Sequence, residues 1–266
     1  MCMGTNKFHR RDRTPVKVRL GGIVDTSTVD WYGKVSTVVF FAGCNFRCPF
    51  CQNASLIPMK SGKEVELEYV LDRVRVNKFL LDAVCMTGGE PTLQSEGLME
   101  LCRLVKAEGL LTSLDTNGSR PEVVESLVSE GLLDRVALDI KAPLNPDVYG
   151  RVVGLPGRAG SLLEKVLKTI EALKGADIVV ELRTTVVPGM LDWAEAVREI
   201  ARLVSKLECA YSLQQFSPMG DLLDPSLKSV KPPSREELKA LARIAVEAGV
   251  GEVYVKTREY GLERVV

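Results

Sequence analysis

Seven runs rich in β-branched and apolar residues recur along the chain, and segments of helical periodicity separate them. This alternation constrains the fold more than any other feature. The runs are Thr37–Phe41, Ala83–Met86, Leu111–Leu114, Arg135–Asp139, Val179–Val187, Ala210–Gln214 and Glu252–Val255. Ser119-Arg-Pro-Glu122, Ser161-Leu-Leu-Glu164, Asp192-Trp-Ala-Glu195 and Ser234-Arg-Glu-Glu237 fit the capping box or its Asp variant at the starts of the helices between them. Gly131, Gly175 and Gly249 stand where such helices stop. Strands joined through helices run parallel, because a parallel pair needs a long crossover. Nearly continuous apolar strands are those covered on both faces. Six βα units and a short last strand predict an α/β fold, a partial (β/α)6 barrel with its site at the carboxyl ends of the strands. The length of 266 residues suits one such domain, spanning 16–266. Lys231-Pro232-Pro233 reads as a turn before the last helix. Residues 1–15, with Arg10-Arg11-Asp12-Arg13, read as a flexible basic tail, either solvated or touching nucleic acid.

Composition then narrows the chemistry. The 35 basic and 35 acidic side chains balance, so the basic footprint of a nucleic-acid binder is missing. No apolar run approaches the roughly 18 residues of a membrane helix, and the first residues lack the apolar stretch of a secretory signal. A soluble, cytoplasmic protein with no membrane partner is expected. The one histidine, His9, lies in the polar tail, which speaks against a Ser-His-Asp triad, a Cys-His pair or a multi-histidine metal site. Seven cysteines, an odd number, argue against a disulfide framework. Cys85, Cys102 and Cys209 fall at apolar positions and read as core.

The remaining cysteines carry the sharpest signal. Cys44-Asn-Phe-Arg-Cys48-Pro-Phe-Cys51 follows the first strand directly, so its thiols sit in a loop at a strand's carboxyl end. A C-x3-C-x2-C run with no fourth neighbour suits a four-iron cluster with one iron left open to chelate a small molecule. A structural zinc completed by Cys85 is the bland alternative. Gly88-Gly89-Glu90-Pro91 ends the second strand; its glycines let backbone approach a ligand, and Glu90 can accept hydrogen bonds from an ammonium group. Alone, it reads rather as an ordinary strand-to-helix turn. Asp115-Thr-Asn117-Gly118 and Asp139-Ile-Lys141 end the third and fourth strands, where two carboxylates either hold a cation or polar ligand groups or are plain loop acids. Arg183 on the fifth strand either points inward toward a ligand carboxylate or outward into solvent.

With these residues in place, the chain resembles the radical S-adenosylmethionine (SAM) superfamily at Cys44–Cys51, including Phe50 before the third cysteine. Asp30-Trp-Tyr-Gly-Lys34, Phe40-Phe-Ala-Gly-Cys44 and Cys51-Gln-Asn53 resemble the glycyl-radical-enzyme activases, above all the anaerobic ribonucleoside-triphosphate reductase activating branch, with pyruvate formate-lyase activating enzymes close by. The resemblance covers roughly residues 17 to 220 and implies a [4Fe-4S] cluster held by Cys44, Cys48 and Cys51. It implies that Thr87, Gly88, Gly89 and Glu90 bind the SAM amino group, Glu90 through its side chain. It places Asp115, Thr116, Asp139 and Lys141 beside SAM, the two aspartates holding a monovalent cation. Where pyruvate formate-lyase activases carry a nucleoside-contacting histidine, this chain has Gln214-Gln215-Phe216, which leaves Gln215 as the candidate there. The implied reaction is reductive SAM cleavage, followed by hydrogen abstraction from a glycine of a partner glycyl radical enzyme, with a flavodoxin or ferredoxin-type electron donor. The cofactors carry the chemistry, so no acid–base side chain is required. Two other readings remain: radical modification of a small molecule or RNA base, and a zinc-stabilised interaction module without catalysis.

Overall fold

The computed structural model describes residues 15–266. The basic tail expected at the N-terminus lies, apart from Pro15, outside the described residues. Ten strands form one sheet: β1 (Lys17–Ser27), β2 (Ser36–Phe41), β3 (Lys63–Glu66), β4 (Ala83–Gly88), β5 (Leu111–Thr116), β6 (Arg135–Asp139), β7 (Val179–Val186), β8 (Ala210–Gln215), β9 (Val253–Thr257) and β10 (Gly261–Arg264). Seven helices accompany them: α1 (Leu67–Asn77), α2 (Ser95–Ala107), α3 (Pro121–Ser129), α4 (Pro146–Val152), α5 (Ala159–Leu173), α6 (Trp193–Val204) and α7 (Arg235–Glu247).

The strand order is β10-β9-β8-β7-β6-β5-β4-β2-β1-β3. From β2 to β9 every neighbouring pair is parallel, and these are the seven apolar runs of the sequence. The sheet ends in β10 and β3 rather than closing on itself. This is the open, partial barrel that six βα units and a last strand imply. Three antiparallel strands, β1, β3 and β10, extend the edges. Sequence reasoning missed them because Gly21-Gly22 interrupts β1 and the other two are four residues long.

Strand residues pointing outward, such as Met86, Leu114, Leu138, Leu182 and Leu213, share one buried core with helix residues such as Leu98, Leu127, Val166, Ile200 and Ala242. A smaller cluster of Trp31, Val38, Ala83 and Cys85 packs separately. The apolar faces thus hold the helices in place, and the carboxyl ends of the strands inherit a fixed geometry.

Two of the four start signals act as caps. Asp192 accepts from the backbone N–H groups of Ala194 and Glu195 at α6, and Ser234 with Glu237 completes a capping box at α7. The other two do not. The α3 helix begins at Pro121 behind Arg120, and the Ser119 hydroxyl instead accepts from Asn45 at 2.7 Å. The α5 helix starts at Ala159, already running when it reaches Ser161, whose hydroxyl donates to the Arg158 carbonyl. Gly131, Gly175 and Gly249 take the left-handed backbone that ends α3, α5 and α7, at φ 66°, 72° and 92°. No helix among the described residues is long and apolar enough to cross a membrane.

Candidate iron–sulfur and SAM site

A cavity of about 510 Å³ opens at the carboxyl ends of the parallel strands, within the usual range of ligand pockets. Cys44, Cys48 and Cys51 all border it. The loop that carries them is folded by its own backbone: the Cys51 N–H donates to the Cys48 carbonyl at 3.0 Å, and the Phe46 N–H points at the Cys44 sulfur at 3.4 Å. The exposed Arg47 ties it from outside, donating to the carbonyls of Cys44 and Phe46 at 2.8 and 2.7 Å. Burial pushes the Cys44 thiol up to about 11 and the Cys48 thiol to about 12, and raises Cys51 as well. Three thiols that are costly to ionise alone become favourable thiolates only when a metal centre takes up their charge.

The donor chemistry fits an iron–sulfur cluster. Among the described residues, no three His, Cys, Asp or Glu side chains gather closely enough to hold a single ion. A cluster needs no such convergence, because each thiolate binds a different iron. The zinc alternative loses its fourth ligand: Cys85 is buried with Trp31, Val38 and Ala83 and does not border the cavity. Cys102 is buried in α2, whereas Cys209, expected in the core, is half-buried at a separate cavity near the end of α5.

The glycine pair beside the cysteines is required by space. Gly88 has φ +119°, and a Cβ on it would stand 2.4 Å from the Phe41 carbonyl oxygen. A Cβ on Gly89 would stand 2.2 Å from the Gly43 oxygen. The Gly89 and Glu90 N–H groups donate to Phe41 and Gly43 at 2.8 and 2.7 Å, which locks this turn against the root of the cysteine loop. Thr87, Gly88 and Gly89 border the cavity as anticipated. Glu90 does not. Its carboxylate is fully buried and accepts from the Thr92 hydroxyl and N–H, the Thr116 hydroxyl at 2.8 Å and the Asn117 N–H at 2.7 Å. Glu90, expected to accept from the SAM ammonium group, is bonded within the protein here. Oε1 takes three of these bonds and Oε2 one, and together they pin the Asp115–Gly118 segment to the glycine turn.

Asp115, Thr116, Asp139, Lys141 and Arg183 come together at the cavity wall. Arg183 points inward, donating to Asp139 at 3.0 Å and reaching Asp115 at 3.1 Å. Lys141 donates to the other oxygen of Asp139 at 3.0 Å, and its ammonium lies 5.9 Å from the centre of the Phe50 ring. The Asp139 carboxyl is pushed up by burial, but Arg183 and Lys141 more than reverse this and hold it below its ordinary value. The two aspartates assigned to a monovalent cation thus face protein cations, while the buried Asp115 Oδ1 has no hydrogen-bond partner. Arg183, expected to meet a ligand carboxylate, is engaged by the same two aspartates.

Beneath them lies a second layer that the sequence reading missed. Arg135 contacts Glu181, donates to Ser113 at 2.8 Å, reaches Asp115 at 3.6 Å and stacks its guanidinium 5.8 Å over Trp31. A signal was present: Arg135 and Asp139, Glu181 and Arg183, and Ser113 and Asp115 are polar residues at alternate positions of otherwise apolar strands. Asn117 was passed over too; its amide donates to Asn45 at 3.0 Å and stands 4.0 Å from the Cys44 sulfur.

Gln215 borders the cavity, yet its amide donates to the Pro233 carbonyl at 2.8 Å and accepts from the Arg258 N–H at 3.0 Å. Its side chain braces the β8–α7 connection against Arg258 with one N–H and one lone pair of its amide. That connection also folds over the cysteine loop, with Ala54 donating to Asp221 and Asp224 to Pro49 at 3.1 and 2.9 Å. Lys256, from the last parallel strand, reaches the Val29 carbonyl at 2.8 Å and borders the same cavity.

Comparison with known proteins places this geometry. Residues 38–204 match the Radical SAM superfamily. The chain is 38% identical over 231 residues to "Putative glycyl-radical enzyme activating enzyme MJ1227" of Methanocaldococcus jannaschii, covering 86% of this chain and 92% of that one. It is 32% identical over 193 residues to the pyruvate formate-lyase-activating enzyme of Clostridium pasteurianum, covering 71% and 77%. Among solved structures, a radical SAM methyltransferase from Sphaerobacter thermophilus superposes with a TM-score of 0.65 at 20% identity, over 83% of this chain and 66% of that one; this likeness speaks to the fold alone.

Proposed function

Because the chain belongs to the radical SAM superfamily and groups with its glycyl-radical-enzyme activating enzymes, we propose that it cleaves SAM reductively and takes a hydrogen atom from a glycine of a partner glycyl radical enzyme. The observation that carries this reading is the meeting of three thiols, a glycine turn and the Asp139–Lys141 pair on one cavity. Cys44, Cys48 and Cys51 would hold the cluster, since all three border the cavity. The backbone of Thr87, Gly88 and Gly89 would receive the methionyl ammonium group, and Lys141 is the cation assigned to its carboxylate. Bound cluster and SAM supply the electron and the carbon radical that removes the glycine hydrogen.

The chain's own part is placement and exclusion of water. Glu90 fixes Thr116 and Asn117, Asn117 sets the Asn45 side of the cysteine loop, and Arg183 with Lys141 keeps Asp139 ionised. The partner in this reading is an anaerobic ribonucleotide reductase, supported by the Asp30–Lys34 and Phe40–Asn53 resemblance and by glutamines where the other branch has histidine. A flavodoxin or ferredoxin-type donor and a cytoplasmic setting, where thiols stay reduced, complete it; nucleic acid is not part of it. Protein loaded with iron and sulfide under anaerobic conditions is expected to turn brown and to form 5′-deoxyadenosine and methionine in equal amounts from SAM and dithionite. A colourless protein that takes up zinc and leaves SAM intact would refute the reading.

A further inference from the structure

We propose that the surface corner carrying Arg47, Arg151 and Arg158 is the landing site of a small acidic electron-transfer protein that reduces the cluster. The inference rests on the reading above, which requires an electron from outside. Arg47 comes from the cysteine loop, and Arg151 and Arg158 from the α4–α5 segment whose backbone packs on that loop. The Arg47 N–H donates to the Val153 carbonyl at 2.9 Å, and Gly154 approaches so closely that a Cβ there would stand 2.2 Å from the Arg47 oxygen. Gly154 donates in turn to the Arg151 carbonyl at 3.2 Å, and Arg158 to Leu155 at 3.1 Å.

All three side chains are exposed, and the charges on Arg151 and Arg158 are uncommitted. Arg103, Arg120 and Arg198 elsewhere in the chain each hold a carboxylate. Among the described residues, no carboxylate pairs with Arg47, Arg151 or Arg158, and Asp147 is the only acid in the stretch from 146 to 160. In a chain whose charges balance overall, this is a local excess of positive charge set on the outer wall of the cysteine loop.

The inner face of the corner explains why it suits electron entry. Tyr149 of α4 is fully buried edge-on against Phe46, with ring centres 6.4 Å apart, and Phe46 lies between Cys44 and Cys48. The α4 helix therefore stands between the exposed Arg151 and Phe46, which lines the cavity with Cys44 and Cys48, while Arg47, Arg151 and Arg158 do not border the cavity that SAM and the glycine must use. A donor docking here competes with neither. The step is a one-electron transfer: a flavin hydroquinone is oxidised to the semiquinone, and the cluster is reduced by one electron. Opposite charge steers such encounters and is screened by salt.

The test uses iron-loaded protein and a purified flavodoxin in its hydroquinone form, with cluster bleaching followed by stopped flow. R151E/R158E is expected to slow reduction by flavodoxin on the order of tenfold at low salt and to flatten the salt dependence. R151Q/R158Q should fall between it and the parent. Reduction of both variants by dithionite should keep the parent rate; if the parent itself fails to bleach with dithionite, the cluster reading is what fails. Labelled flavodoxin should also bind the metal-free protein through the same arginines, read by fluorescence anisotropy. Equal flavodoxin rates for parent and charge-reversed protein across the salt series would overturn the proposal, as would a corner that binds RNA and ignores the flavodoxin.

Discussion

Lys141 stands where the demands of the site meet. Its ammonium pairs with Asp139, lies over Phe50 and faces the Cys48 thiol. Burial pulls the Lys141 pKa down, but Asp139 and Cys48 more than compensate, so it stays protonated through the working range. Lys141→Met removes the cation assigned to the proposed SAM carboxylate. A hydrogen bond to a charged group is worth roughly 1.5–3 kcal/mol, so SAM affinity is expected to fall by about one to two orders of magnitude while the cluster absorption persists. Equilibrium binding of SAM to the loaded variant checks this. Alanine at Cys44, Cys48 or Cys51 is expected to abolish iron loading, since each supplies a ligand that no neighbour replaces. Cys85→Ala should keep the full iron content and cost about 1 kcal/mol of stability. Loss of iron in Cys85→Ala would revive the four-cysteine zinc reading.

At the scale of elements, the cysteine loop and the glycine turn form one unit. The turn donates two backbone hydrogen bonds to the segment from Phe41 to Gly43, and neither glycine has space for a Cβ. Gly89→Ala is expected to push the two apart, costing on the order of 2–4 kcal/mol in a urea melt and lowering SAM affinity with Cys44, Cys48 and Cys51 intact. A variant as stable as the parent would contradict this coupling. The sequence showed the seven parallel strands and the cysteine loop, because apolar runs and ligand spacing are local patterns. It did not show where Glu90 points. A buried carboxylate with four internal donors and an exposed one waiting for a ligand look the same in Gly-Gly-Glu-Pro. The caps divide likewise: Asp192 and Ser234 act within their own turns, whereas Ser119 is drawn off by Asn45, a partner far away in the chain.

Across the whole molecule, the strand faces divide the labour. One face is apolar and holds the helices; alternate positions carry Asp115, Asp139 and Glu181 against Arg135, Arg183 and Lys141. This buried balance sets an acid limit on the fold. A carboxylate held below its ordinary value of 3.8 contributes stability above that pH and loses it as the pH falls through the lower folded value. Urea midpoints measured toward acid should therefore drop for the parent below about pH 4, and more shallowly for Asp139→Asn. Parallel curves would remove Asp139 from the account. The open sheet has its own consequence under the proposed function: β3 and β10 are not joined, and a partner's loop would enter from that side. Such a loop must leave its own fold, so activation should be limited by that opening rather than by SAM cleavage. The central claim is tested by mixing loaded protein, SAM and reductant anaerobically with an anaerobic ribonucleotide reductase whose glycines carry deuterium. Deuterium should appear in 5′-deoxyadenosine as a glycyl doublet grows in the partner's EPR spectrum. Deuterium arriving instead from a labelled RNA base or metabolite, with the glycyl proteins silent, would contradict it.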